Sequence, residues 1–564
     1  MIAESYSEAP QPIPTMKTQT QIRLLATALL ALGVSQLLPA QPAAPIVAPA
    51  GGAAPRAGGG AFGGGGLGRG GGAAAPQTAL TIESLTTALT LTDAQVTVIR
   101  PLLDQLTQAQ QDLTTKQAAA NTARDGLVTQ LSAIFNDTQK KSVAVADLLG
   151  TYNDHPFMMA QLGITALRPG KSGSNQNGPG FELATANPWK DTMPDVMKMK
   201  NGTMVTRADQ WPARRKEILE DFEREVYGRI PANVPKVTWE VTNTTQGNNG
   251  GIPTITRTLI GHVDNSAYPA ITVNIQASYT IPANSTGPVP LFLSFGGGAQ
   301  QAYGYGWGSG SIQPGSIQAD SGGNSLRQGI IGLTNKGQPR KPDDWGALRA
   351  WGWGVSKLID YFEANPAAGV NPRAVTIEGV SRYGKASLVT MAFDERVASA
   401  LVASSGEGGA KLHRHDFGEA VENLTGTGEY HWMSGSFIKY GASAPKKMDA
   451  GDLPVDSHEL IALCAPRPVF ISYGVEAAGD PKWVGAPGSY MAGILASPAY
   501  ELLGKKGYGV KATDYITAPM PAVQQLVGGD LAWRQHEGGH TSGPNIVPFL
   551  DWISTYIKAP ALRQ

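Results

Sequence analysis

Cysteine is almost missing from this chain: Cys464 is the single one in 564 residues. A lone thiol excludes an intrachain disulfide and any cysteine-built metal centre, so covalent staples take no part in the fold. Charge is scarce too. Charged side chains make up 16% of the sequence, and 45 basic residues balance 45 acidic ones to a formal net charge of zero. No global field therefore favours nucleic acid or an anionic membrane, and any anion recognition must be local. Long apolar runs are also few. The clearest, residues 24–34, follows Lys17 and Arg23 and ends near a Pro-Ala boundary at Ala40. It is too short to cross a bilayer, which favours a signal peptide over residues 1–40, starting at Met16, above a retained anchor. The expectation is a secreted or periplasmic protein with no stable membrane insertion.

What is present divides the chain into zones. Residues 41–79 are Gly, Ala and Pro, including "AGGGAFGGGGLGRGGG", a composition that buries too little apolar surface to offset chain entropy and reads as a disordered tether. Residues 80–167 turn to Ala, Gln and Leu with apolar positions at helical spacing, and Thr92 and Asp93 offer N-cap chemistry. The spacing predicts a small all-α module, a helical hairpin. Its repeated Leu-Thr followed by Gln resembles the periplasmic LTxxQ-type helical proteins. The polar stretch "RPGKSGSNQNGPG" reads as a second linker, over residues 168–186. From 187 to 564, short β-type runs such as "VPLFLSF", "AVTIEGV" and "RPVFISYG" alternate with helical stretches. Early antiparallel strands followed by β/α alternation predict an α/β sandwich with a largely parallel sheet, whose ligands bind beyond the carboxyl ends of the strands.

The stretch "TIEGVSRYGKAS" places Ser381 between a strand and a helix. Such a sharp turn lifts a serine hydroxyl over the sheet edge and points helix N–H groups at a developing oxyanion. The usual G-x-S-x-G pattern is not met: Tyr383 stands two places after the serine, and Gly384 follows it. A nucleophilic serine needs a histidine and the histidine an orienting carboxylate. His540, in a Gly-rich loop before the last helix, fits the chain order serine, acid, histidine, with His536 as rival. The glycine pair before His540 is expected to let the backbone approach the serine closely. Asp480 and Glu476 follow the strand "RPVFISYG", and Glu407 follows the strand before it; each is a candidate acid. His413 and His415 lack a third ligand at metal-site spacing. Gly296, Gly297 and Gly298 offer an oxyanion-side turn.

With these residues in place, the chain resembles the glucuronoyl esterases, carbohydrate esterase family 15, whose nucleophile signature is G-C-S-R-x-G-K. Residues 379–385 read G-V-S-R-Y-G-K, and the likeness extends over roughly residues 190–560 through "DSHELIALCAPRPVFISYG", Asp480 with Trp483, and the loop of His540. The resemblance implies a three-layer α/β-hydrolase, a serine esterase that needs no cofactor or metal. Its substrates would be esters between the 4-O-methyl-glucuronic acid of glucuronoxylan and lignin alcohols, and it would act as a monomer without nucleic acid. By the same resemblance Ser381 is the nucleophile, Arg382 stabilises the oxyanion, and Lys385, Glu419 and Trp483 bind the sugar. Val380 stands where many members have cysteine, and Ser404 where many have the acid. That moves the acid to Asp480, with Glu407 and Glu476 in reserve. Other carbohydrate esterases, acetyl xylan or feruloyl, and a non-catalytic polysaccharide-binding protein are the alternatives.

Overall fold

The run Val289–Phe295 is apolar at nearly every position, the mark of a strand covered on both faces, and it lies near the middle of the sheet that organises the molecule. The computed structural model describes residues 93–140 and 143–563. The expected signal peptide, the Gly-rich tether and Thr92 lie outside them. The strands are β1 (Ala166–Leu167), β2 (Val237–Asn249), β3 (Ile252–Val263), β4 (Asn274–Pro282), β5 (Val289–Phe295), β6 (Gly308–Ile312), β7 (Val370–Val380), β8 (Ser399–Ala403), β9 (Ala442–Ala444), β10 (Val469–Tyr473), β11 (Leu526–Gly528) and β12 (Leu531–Gln535). All but β1 and β9 join one sheet in the order β11-β12-β10-β8-β7-β5-β6-β4-β3-β2. The strands from β12 to β6 are mutually parallel. Antiparallel β2, β3 and β4 extend one side and β11 the other.

Strand alternation assigns the two faces. Leu291, Leu293, Ile377, Val402 and Ile471 enter one core, while Phe292, Leu401 and Phe470 enter the other. The first is covered by the helices Ala347–Ala364, Arg382–Phe393 and Ala486–Leu502, the second by Gly543–Ile553. Leu348, Trp351, Val355, Leu358 and Phe362 recur at three and four residues and are all buried, so one face of the first helix is fixed to the sheet by its own sequence. This is the three-layer α/β-hydrolase sandwich expected from the sequence.

Ahead of it, Asp93–Ile134 forms one helix of 42 residues. The expected hairpin has no second limb of comparable length: Asp137–Lys140 and Val143–Leu149 are short pieces. Asn136 and Gln139 exchange side-chain to backbone bonds that start a new helix, and Gly150, at φ 65°, ends the last piece. Residues 152–167 pack into the sheet-bearing body. Met158 is fully buried, Asp154 pairs with Arg340 at 3.2 Å in its interior, and β1 pairs with β9.

The polar segment 168–186 is a strap rather than a free linker. Arg168 donates to Glu422 and to the carbonyls of Tyr440, Ala442 and Met448, Lys171 pairs with Asp416, and the Phe181 ring meets Phe417. Its composition suggested a linker because hydrogen-bond anchoring leaves no apolar period behind. No helix among the described residues is long and apolar enough to cross a membrane.

Candidate active site

Strand β7 ends at Val380, and the next residue, Ser381, stands at φ 61° and ψ −128°, strained for a residue with a side chain. The strain is held by packing on both sides. Ser381 N–H donates to the Ala403 carbonyl of β8, and the Ser381 carbonyl accepts the Lys385 N–H to open the helix Arg382–Phe393. A Cβ on Gly379 would sit 2.3 Å from the Tyr383 carbonyl oxygen, and one on Gly384 would sit 2.6 Å from that of Ala403. Gly384 thus serves the close helix–strand approach, one place later than the usual motif puts it. The first N–H groups of this helix have no acceptor within it and face the serine's end of the sheet. Gly296, at φ 76°, turns the chain after neighbouring β5, and Ala299 N–H is held by Ser309 Oγ at 2.8 Å.

The partners arrive from the two strands beyond β8. Gly474 and Asp480 follow β10, and His540 follows β12. His540 Nδ1 donates to Asp480 Oδ1 at 2.7 Å, which fixes the tautomer and leaves Nε2 as the basic nitrogen. Asp480 is buried, and its Oδ2 accepts from Ser404 Oγ and from Gly474 N–H, each at 2.7 Å. Ser404, at φ 40°, thereby supports the carboxylate.

The other candidate acids are elsewhere. Glu407 is sealed in an ion cluster with Lys411 and His413, and Glu476 is exposed beside Lys482. Burial would raise the Glu407 carboxyl, but Lys411 and His413 beside it hold it below its ordinary value. His536 is buried: its Nδ1 accepts the Gly538 N–H and its Nε2 donates to the Thr541 carbonyl, so it shapes the loop. The glycine pair before His540 approaches the acid's loop and not the serine. A Cβ on Gly539 would lie 2.3 Å from the Ala478 carbonyl oxygen, and one on Gly474 would lie 2.3 Å from that of Gly539. Free approach to the serine was expected because glycine permits it, but the contact actually made is with the preceding loop. The histidine pair is also split, His413 binding Glu407 and His415 binding Asn187.

Residues 267–504 match a family model described as glucuronyl esterase, fungi. A 4-O-methyl-glucuronoyl methylesterase from Schizophyllum commune is 31% identical over 327 residues, 55% of this chain and 74% of that protein. The structure of a glucuronoyl esterase from Teredinibacter turnerae superposes with a TM-score of 0.65 at 37% identity, covering 72% of this chain and 99% of that one. One from Solibacter usitatus gives 0.55 at 29% identity, covering 64% and 96%. The chain belongs to the glucuronoyl esterases of carbohydrate esterase family 15.

In this glucuronoyl esterase the two cations after the serine are both committed. Lys385 is buried, and its Nζ donates to Glu419 Oε2 at 2.8 Å and to the Ser405 carbonyl at 2.9 Å, which leaves one of its three N–H groups. Glu419 also accepts the Glu407 N–H at 3.0 Å. Arg382 is 45% exposed and donates to Asp320 Oδ2 at 2.6 Å. Burial would raise the Asp320 carboxyl, but bonds from His431, Trp432 and Arg382 hold it far below the usual carboxylate range. Trp483 is half-buried, its ring against Gly173 of the strap and its carbonyl accepting the Glu419 N–H.

Sequence reasoning missed Asp320, Trp432 and Glu429. The Trp432 indole lies 5.4 Å from both Arg382 and Lys385 and donates its Nε1–H to Asp320 at 2.6 Å. These residues sit in loops without motif or period, so only the fold brings them to the serine. Glu429 is beside them with a buried Oε2 that has no hydrogen-bond partner among the described residues.

Proposed function

We propose that this protein is a serine esterase for uronoyl esters, hydrolysing the link between 4-O-methyl-glucuronic acid branches of glucuronoxylan and lignin alcohols. The observation that carries the reading is the His540–Asp480 bond, whose carboxylate also holds Ser404, the residue after the Ala403 carbonyl that fixes the strained turn of Ser381. Ser381 Oγ attacks the ester carbonyl while His540 Nε2 takes its proton. Asp480 keeps the imidazole in the required tautomer and balances the imidazolium. Charge that develops on the carbonyl oxygen meets the Arg382 N–H and guanidinium, and losing one such donor typically costs about a hundredfold or more in rate. The alcohol leaves with the proton from His540, and water activated by the same nitrogen releases the free uronic acid. Lys385, Glu419 and Trp483 are assigned to the sugar; the one N–H of Lys385 Nζ left over by its bonds to Glu419 and Ser405 supports this.

The leader at residues 16–40 supports export to the periplasm or medium, and the enzyme acts as a monomer with no metal or organic cofactor. Ser381→Ala tests the mechanism: it should abolish turnover of benzyl glucuronate while the melting temperature stays close to that of the parent. Retained turnover refutes the nucleophile. Faster hydrolysis of acetylated xylan than of benzyl glucuronate by the parent enzyme would move the substrate class to the acetyl esterases.

A further inference from the structure

Loop 319–328 has different surroundings at its two ends. At one, Asp320 accepts from Arg382 at 2.6 Å, beside the nucleophile. At the other, Asn324, Arg327 and Gln328 line a cavity of about 610 Å³, whose wall also includes Ala319, the residue next to Asp320. Gly323 N–H pins the loop between them by donating to the Tyr430 hydroxyl at 2.7 Å. Asp147 and Tyr152, from the segment that precedes β1, and Tyr268, from the connection between β3 and β4, supply further lining. The volume falls within the range of about 300–1,000 Å³ usual for small-molecule sites.

The charges of the cavity cancel. Arg327 Nη2 donates to Asp147 Oδ2 at 2.9 Å and its Nη1 to Oδ1, its Nε donates to the Gly337 carbonyl at 2.6 Å, and its guanidinium lies 4.6 Å from the centre of the Tyr152 ring. What is left over is neutral. The Tyr268 hydroxyl and the side-chain amides of Asn324 and Gln328 make no hydrogen bond among the described residues. Each amide offers donors and an acceptor. That set suits an uncharged ligand rich in hydroxyls, and it holds no spare cation to balance a phosphate or a second uronate.

We infer that this cavity is a subsite for the xylan backbone, in which neutral xylosyl units that continue from the uronoyl group at Ser381 bond Tyr268, Asn324 and Gln328. This rests on the esterase reading above and extends it to the part of the substrate that does not react. In a glucuronoyl ester the scissile carbonyl and the link to xylan stand on different carbons of the ring, so the chain runs outward while the carbonyl stays at the serine. Arg382, 45% exposed, stands on an open side of the site, and loop 319–328 leads from it into the cavity. The short helix Val143–Leu149 thereby has a role: through Asp147 it holds Arg327 over the Tyr152 ring and closes one wall.

Two measurements test this. In the first, kcat/KM is compared for benzyl glucuronate and for the benzyl ester of a glucuronic acid borne on xylotriose. The parent should prefer the branched ester by about tenfold or more. In a variant carrying Asn324→Ala and Gln328→Ala, both at exposed positions, that ratio should fall about tenfold, mainly through KM, the size of two lost hydrogen bonds. In the second, calorimetry measures the binding of xylotriose itself to the full chain, expected in the parent and about tenfold weaker in the double variant. A parent that treats the two esters alike or binds no xylotriose, or a variant with the parental ratio or parental binding, overturns the inference. A parent that hydrolyses neither ester overturns the esterase reading instead, and xylotriose binding, which needs no turnover, then still decides the ligand of the cavity.

Discussion

Asp480 takes three hydrogen bonds, and they should not be equal in effect. Losing Oδ1 as an acceptor for His540 alters which imidazole nitrogen carries the proton, so Asp480→Asn should cut kcat by about 10⁴, the scale measured when a triad aspartate becomes an amide. Ser404→Ala removes one neutral donor from Oδ2 while Gly474 N–H remains, so a loss of about tenfold is expected, with the pH profile keeping its shape. Glu407→Gln behaves differently again. It leaves the His540 bond intact but strands Lys411 in a fully buried site, so the melting temperature should fall while kcat of the folded fraction holds within about threefold. The folded-state carboxyl of Glu407 lies below its unfolded value, so its contribution is present above the unfolded pKa and lost as pH falls through the folded one. Kinetics and melting curves on the three variants separate these roles. An Asp480→Asn enzyme with near-parental kcat would remove Asp480 as the orienting acid.

At the scale of elements, the serine is positioned by how closely the helix Arg382–Phe393 lies on β7 and β8. Gly384→Ala should lower stability by about 1–3 kcal/mol, because the added methyl meets backbone that cannot move aside cheaply. Turnover should fall about a hundredfold, since a shift of about 1 Å at the nucleophile has that cost. Parental activity at a parental melting temperature would show that the helix has room to spare. The strand and helix that carry Ser381 were legible beforehand, because an apolar run followed by a helix-forming run is a local property, and so was the serine, acid, histidine order. Asp320, Trp432 and Glu429 were not legible: Asp320 lies 62 residues from its partner Arg382 and 112 from its partner Trp432, so only the fold brings these loops together. Loop residues of that kind leave no period and no spacing rule to read.

The whole molecule divides its N-terminal half unevenly between an exposed part and a structural one. Residues 111–119 of the long helix all face solvent, and Leu113 is 68% exposed. By contrast, Asp154 is wholly buried against Arg340, and Arg168 and Lys171 tie the strap to the loops around Glu419. The strap also meets Trp483 through Gly173 and Gln176, so the placement of that ring depends on it. A chain beginning at Val143 should therefore keep the parental melting temperature within about 2 °C and its kcat/KM within about twofold, since surface changes rarely exceed about 0.5 kcal/mol. A chain beginning at Asn187 should be strongly destabilised, because removing one partner of a buried ion pair costs about 3–5 kcal/mol and here Arg340 would lose Asp154. Arg340→Met in the full chain isolates that pair: together with Asp154→Leu it should restore much of the stability that either single change removes. Thermal melts of the two truncations and of this double-mutant cycle measure the strap and the pair separately. Equal melting temperatures for the chains starting at Val143 and Asn187 would mean that the esterase body holds its sugar site without the strap.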